Sequence, residues 1–227
     1  MFIGGLQRFS LIDYPGEISA TVFTSGCNFR CPYCHNPELV NMSLPALSEE
    51  KILSFLEKRK GKFTAVTITG GEPMLHEDIS GFIKKIKKMC FLVKLDTNGS
   101  NPDVLEKLIK DGLINYVAMD VKAPLSRYKE LAFSDYSEQI KKSIKIIISS
   151  AIDYEFRTTI VKSLLSKEDI IEIGKMITGA TNYYLQKFVP SKTLDPLFIN
   201  ESTYRESELK KLVLKLEEHY VRRCDIR

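Results

Sequence analysis

Cys27, Cys31 and Cys34 fall within eight residues, in the run Gly26-Cys27-Asn28-Phe29-Arg30-Cys31-Pro32-Tyr33-Cys34-His35-Asn36-Pro37. Thiolates are the usual ligands of iron–sulfur clusters, one cysteine to each iron of a cubane. Three of them at C-x3-C-x2-C spacing can hold three corners of a four-iron cluster and leave the fourth iron open. An open coordination position lets a small molecule bind the metal, which separates catalytic from structural sites. The competing reading is zinc, with His35 as the fourth ligand. Adjacent Cys34 and His35 are awkward donors for one tetrahedral ion, and no second ligand pair follows at knuckle spacing. A disulfide is disfavoured, because the cysteine count is odd and no secretory signal precedes it. Cys224 stands alone. Cys90 extends the apolar series Ile79, Phe82, Ile83, Ile86 and reads as a buried helix-end residue.

Further segments carry chemistry. In Gly70-Gly71-Glu72-Pro73 two glycines let the backbone approach a ligand, and Glu72 can face an ammonium group. An ordinary strand-to-helix turn has the same composition. Asp96-Thr97-Asn98-Gly99 places a carboxylate just before an Asn-Gly turn. Asp120 and Lys122 flank apolar Val121, so both point to one strand face, where buried charges must pair. Their bland reading is a structural ion pair. Arg157, inside Phe156-Arg157-Thr158-Thr159, also needs a partner. Gln186 lies between Leu185 and Phe188 on a candidate last strand. His35 and Asn36 read as caps of the cysteine loop, and His76 and His219 as surface residues.

The elements that must position these groups alternate regularly. Short β-branched runs at Ser19–Thr24, Ala65–Thr69, Phe91–Asp96, Tyr116–Val121, Tyr154–Val161 and Tyr183–Val189 read as strands. Amphipathic runs at Ser48–Arg59, Glu77–Met89, Asp103–Asp111, Ser137–Ser149, Lys167–Ile177 and Tyr204–Tyr220 read as helices. Six strand–helix units predict an α/β fold with parallel strands, curled by right-handed crossovers into a partial (β/α)6 barrel open on one side. Six is fewer than the eight of a closed barrel. No linker or repeat divides the chain, so a single domain over 1–227 is expected, with the cysteine loop at 26–37 and the last helix at about 204–221. Ligands of parallel α/β proteins gather at the carboxyl ends of the strands, and every motif above sits at or on such a strand.

Composition sets the outer bounds. The chain has 227 residues, 44% hydrophobic and 27% charged, enough for one full core. Its net charge of +4 is too mild to argue for nucleic acid. The basic runs Lys58-Arg59-Lys60, Lys84-Lys85 and Lys87-Lys88 interleave with apolar residues as solvated helix faces do. No apolar run approaches the ~20 residues that span a bilayer. The opening Met1–Arg8 lacks a basic-then-apolar signal pattern, so a cytoplasmic protein is expected, with no membrane partner.

The cysteine spacing, with Tyr33 before the last cysteine, together with Gly70–Pro73, resembles the radical S-adenosylmethionine superfamily. The resemblance implies a 4Fe-4S cluster on Cys27, Cys31 and Cys34, with S-adenosyl-L-methionine chelated at the open iron. It implies reductive cleavage to methionine and a 5′-deoxyadenosyl radical, with a flavodoxin or ferredoxin as electron donor. Tyr33, Gly70, Gly71, Glu72, Pro73, Asp96, Thr97, Asn98, Asp120, Lys122, Arg157 and Gln186 are then expected around the cofactor. A monovalent cation near Asp96 and Asp120 would accord with the glycyl-radical enzyme activases. Gly4–Gly16 and Thr21–Asn28 are similar to activating proteins of anaerobic ribonucleoside-triphosphate reductases, over at least Gly4 to Pro124. The implied partner is then a glycyl-radical enzyme whose glycine gives up a hydrogen atom. Two alternatives stand beside it: a radical enzyme acting on a small molecule or nucleoside, and a non-catalytic iron–sulfur or zinc-binding module.

Overall fold

The computed structural model describes residues 1–133 and 135–227. Eight strands follow one another: β1 (Ile3–Ser10), β2 (Ser19–Thr24), β3 (Ala65–Gly70), β4 (Leu92–Thr97), β5 (Tyr116–Asp120), β6 (Asp153–Ile160), β7 (Asn182–Lys187) and β8 (Arg223–Ile226). The helices are α1 (Pro37–Val40), α2 (Glu49–Glu57), α3 (Ile79–Lys88), α4 (Pro102–Lys110), α5 (Tyr128–Leu131), α6 (Ser137–Ser149), α7 (Lys167–Met176) and α8 (Glu206–His219). Strand order follows the chain from β1 to β8, and β1 does not pair with β8. The expected α/β class and open, mostly parallel sheet are therefore observed. Each of the six expected strands and six expected helices appears within about two residues of its expected ends.

Two strands are additional. β1 runs antiparallel to β2 and buries only its two end residues, Ile3 and Ser10, so it lacks the apolar alternation that marks a half-buried strand. β8 has four residues, of which only Cys224 is buried.

The chain forms two compact units. The first comprises Met1–Asn28, Glu38–Thr97 and Asp103–Val117. Here β2, β3 and β4 pair in parallel, and Val66, Ile68, Val93 and Leu95 are fully buried. Ile52 and Leu56 of α2, and Phe82, Ile83 and Ile86 of α3, supply the apolar helix faces. Ser48 caps α2 by accepting from the Lys51 amide. Cys90 departs from expectation: it is exposed, not buried. It sits two residues past α3 in a left-handed conformation (φ 66°), which turns its side chain away from the buried stripe of the helix.

The second unit comprises Phe29–Pro37, Asn98–Pro102 and Ala118–Arg227. β6, β7 and β8 pair in parallel, and Phe156, Ile160, Tyr183 and Leu185 form a fully buried face. Ile144 and Ile147 of α6, Ile170 and Ile173 of α7, and Leu209 and Leu216 of α8 are buried with them. α7 opens with a capping box in which Ser166 and Asp169 bond each other's backbone amides. Among the described residues no helix is long and apolar enough to cross a membrane.

Candidate functional site

In the first unit the Gly-Gly turn packs backbone to backbone against the start of the cysteine loop. The Gly71 amide donates to Thr24 O (2.9 Å) and the Glu72 amide to Gly26 O (2.8 Å). A Cβ on Gly71 would lie 1.9 Å from Gly26 O, and one on Gly70 2.4 Å from Thr24 O. Gly70 also has φ +115°, a conformation that costs glycine little. No larger residue fits at either position. Pro73 opens a 3-10 turn whose cap is Glu72, with the carboxylate accepting from the Met74 amide at 3.1 Å. Glu72 is fully buried and also accepts from Thr97 Oγ1 at 2.8 Å. Thr97 at the end of β4 and the Gly70–Pro73 turn after β3 are thus one hydrogen-bonded assembly. Asp96 pairs with Lys94 at 2.5 Å. Cys27, half-buried, follows Gly26 directly.

His76 corrects an expectation. It is half-buried rather than a surface residue, and its Nε2 bonds Ser25 O at 3.1 Å, just before the cysteine loop. Burial pulls its pKa below the ordinary imidazole value, against the opposing pull of that carbonyl.

The second unit gathers the remaining expected residues on one strand face. Asp120 closes β5, and both its oxygens are engaged. Arg157 Nε donates to Oδ1 at 2.9 Å, and Lys122 Nζ to Oδ2 at 3.1 Å. Burial alone would raise the Asp120 pKa. Arg157 and then Lys122 overcome that and hold it at about 2. Lys122 is likewise desolvated, yet Asp120 and the Cys31 and Cys34 sulfurs hold its pKa above the ordinary ammonium value. Cys31 is buried, which raises its thiol pKa while the Lys122 charge works in the opposite direction. Tyr33 is buried too, which pushes its hydroxyl pKa well up, and the neighbouring Cys31 sulfur and Asp120 carboxylate push it the same way. Arg157 and Thr159 pair across the ladder with Tyr184 and Gln186, so these four share one partly exposed face.

Asn98 serves its own turn: its Oδ1 accepts from the Ser100 amide at 2.9 Å, and Gly99 O accepts from Ser143 Oγ at 2.7 Å. The cysteine loop is held by backbone bonds from neighbouring segments. Arg30 N donates to Ala132 O (3.1 Å), Leu194 N to Cys34 O (2.9 Å) and Asp195 N to Pro32 O (2.9 Å). His35 stacks on Phe188 and bonds Ser191 Oγ at 3.1 Å and Lys192 O at 3.2 Å.

Three side chains of this cluster escape a reading of the sequence. Tyr128 accepts from the Lys122 amide at 3.0 Å, and no periodicity marks it. Glu155 is 1% exposed, two residues before Arg157 on the same strand face. The alternation that pairs Asp120 with Lys122 could have found it. Arg227, the residue after the short β8, reaches Glu155 at 3.0 and 3.1 Å.

The donor set fits an iron–sulfur cluster. All three thiols of the motif are free of disulfides, and the Lys122 charge acts on Cys31 and Cys34. Asp96 and Asp120 find counter-charges in Lys94, Lys122 and Arg157, so a bound monovalent cation has no support in this geometry.

An open parallel α/β sheet with a three-cysteine loop after β2 and charged residues at later strand ends defines a narrow class. The radical SAM superfamily model matches residues 21–177, and the chain belongs to that superfamily. A Methanocaldococcus jannaschii protein provisionally named a glycyl-radical enzyme activating enzyme is 36% identical over 99% of this chain and 95% of its own length. The pyruvate formate-lyase-activating enzyme of Clostridium pasteurianum is 29% identical over 85% of this chain and 82% of its own. A 7-carboxy-7-deazaguanine synthase of Aquifex aeolicus is 34% identical over 71% of this chain and 68% of its own. Among solved structures, Streptococcus suis SuiB bound to S-adenosylmethionine superposes on 90% of this chain and 48% of its own, with TM-score 0.70 and 16% identity.

Proposed function

We propose that this chain is an activating enzyme for a glycyl-radical enzyme. Cys27, Cys31 and Cys34 would hold a 4Fe-4S cluster, which would act together with S-adenosylmethionine. When bound, this pair supplies reductive cleavage of the sulfonium and a carbon radical that takes a hydrogen atom. The chain's own residues bind and orient. The backbone of Gly70–Pro73 lies against the cysteine loop, and Lys122 sets a positive charge beside Cys31 and Cys34. Asp120 fixes the directions of Lys122 and Arg157 toward the half-exposed face that Gln186 shares.

The observation that carries this reading is the coupling of Cys31 and Cys34 to Lys122, itself locked to Asp120 and Arg157. A structural zinc site has no need of that charged cluster. Similarity over nearly the whole length to a protein named as an activase supports the partner class. The particular partner we assign is an anaerobic ribonucleoside-triphosphate reductase, with a flavodoxin or ferredoxin as reductant. A second reading, a radical enzyme acting on a nucleoside-like small molecule, draws on the 34% identity to the deazaguanine synthase.

The test is anaerobic. The cluster is reconstituted, reduced with dithionite and mixed with S-adenosylmethionine and the reductase. Release of 5′-deoxyadenosine with a glycyl-radical EPR doublet on the reductase is the expected result. Deoxyadenosine without a protein radical would move the assignment to the small-molecule reading. A zinc-loaded protein that releases none would end the radical reading altogether.

A further inference from the structure

β4 buries a lysine. Lys94 is 2% exposed, and its ammonium donates to Asp96 Oδ1 at 2.5 Å. Among the described residues Asp96 is its one ion-pair partner. The same ammonium lies 5.9 Å from the centroid of the Tyr116 ring, which in turn packs at 5.8 Å on the buried ring of Tyr14.

The strand directs this lysine away from the helices. Val93 and Leu95 lie in the apolar layer, so Lys94 and Asp96 alternate to the opposite face of the sheet. In the ladder Lys94 pairs with Thr67, and Thr67 with Thr21, which puts both hydroxyls on that face. Thr21 Oγ1 is taken up by Asp13 Oδ2 at 2.7 Å. Thr67 Oγ1 is buried and has no hydrogen-bond partner among the described residues. A carboxylate, an uncommitted hydroxyl and an aromatic ring therefore share this face with the ammonium. Oxygen donors suit a hard metal cation, and a ring face attracts cations in general.

Burying an ammonium is costly, and packing alone would be served better by an apolar side chain. What the lysine adds is one positive charge held against Asp96. The resemblance to glycyl-radical enzyme activases leads to the expectation of a monovalent cation near Asp96. We propose that Lys94 takes the place of that ion: its ammonium is a tethered monovalent cation, and the chain works without an alkali metal ion beside Asp96. The inference rests on the activase reading for the ion that is replaced. The tethered charge is a property of this chain's own residues. Tethering also makes occupancy independent of the ions in solution, since the cation cannot leave.

The experiment exchanges the cation of the buffer. Full-length reconstituted protein is melted, and titrated with S-adenosylmethionine, under anaerobic conditions in potassium chloride, methylammonium chloride or tetramethylammonium chloride at equal ionic strength. Tetramethylammonium is too bulky for the space one lysine side chain leaves. The parent should show the same melting midpoint and the same cofactor affinity in all three salts. Lys94→Ala opens the space beside Asp96 and should become ion-dependent. At ten times their dissociation constants, potassium or methylammonium should raise its midpoint by about 3–6 °C over tetramethylammonium. They should also bring its cofactor affinity toward the parent value. Lys94→Met fills the space with an apolar chain and should respond to neither ion.

A Lys94→Ala protein destabilised equally in all three salts would make the lysine a structural residue only and overturn the inference. The same rescue in Lys94→Met would overturn it too, because the ions would then be acting elsewhere. A potassium-specific rise in the parent's midpoint or affinity also overturns it, and that arm needs no variant to fold. A parent that binds no S-adenosylmethionine in any salt overturns the activase reading instead, while the melting series still decides the role of Lys94.

Discussion

Asp120→Asn tests the charged cluster most directly, because asparagine keeps the shape and removes the charge that Lys122 and Arg157 share. The Asp120 carboxyl sits at about 2 in the folded chain, against an ordinary value near 4. That difference corresponds to about 2.5 kcal/mol of charge-dependent stability. Because the folded value is depressed, this stability is present above about pH 4 and is lost as the pH falls through about 2. The variant should therefore be less stable than the parent by about 2.5 kcal/mol at pH 7, with two cations left facing each other. For a chain of this size that is a fall of about 5–10 °C in Tm. The assay is urea unfolding of cluster-free, reduced protein at pH 7, 4 and 2.5. The gap between parent and variant should close as the pH drops. A gap of equal size at all three pH values would mean that packing, not charge, is at work. No gap at pH 7 would refute the ion-pair geometry itself.

Gly71→Ala places a methyl group against Gly26 O. It should destabilise the chain by more than about 3 kcal/mol and sharply reduce iron incorporation, read by iron content after reconstitution. Gly81→Ala makes the opposite prediction: the position is open and lies on the exposed face of α3, so a gain of about 0.5–1 kcal/mol is expected in thermal melts. Single Cys→Ala changes at Cys27, Cys31 or Cys34 should each abolish the cluster absorbance, whereas Cys90→Ala should retain full iron content. Loss of iron in Cys90→Ala would show that the ligand set has been misassigned. Removing the hydroxyl cap in Ser166→Ala should cost about 1 kcal/mol, visible as an earlier urea midpoint with cofactor binding unchanged.

The six internal strands and six long helices are legible because each buries one apolar face and so carries its period in the sequence. Ile140, Ile144 and Ile147 mark α6 in this way. β1 carries no such mark, since an antiparallel edge strand can leave most of its residues exposed. The ion pair of Asp120 with Lys122 follows from period-two alternation alone, and Arg157 from the rule that a strand arginine must find a partner. Sequence could not say which partner: Glu155 and Asp120 are both carboxylates within reach, and only geometry puts Nε on one and leaves Nη1 at 3.8 Å from the other. Glu72 shows the reverse case. Its motif suggests a ligand-facing carboxylate, yet its oxygen caps Pro73–Leu75 and binds Thr97, a local use that spacing cannot reveal. Cys90 and His76 depart from the expectation for a similar reason. A residue beyond a helix end takes its exposure from the local backbone angle and its neighbours, not from the helix period.

The hydrogen bonds that tie Leu194 and Asp195 to the carbonyls of Cys34 and Pro32 run between main chains. Any side chain can accompany such bonds. The stretch after β7 can therefore exchange its outward residues, among them exposed Val189, Leu197 and Ile199, without loosening its hold on the cysteine loop. Fixed and variable parts of the chain are adjacent here: the cysteine loop is bound by a segment whose outer face is free to diverge. Selection for a new partner could rewrite that face one residue at a time while the ligand loop stays in place.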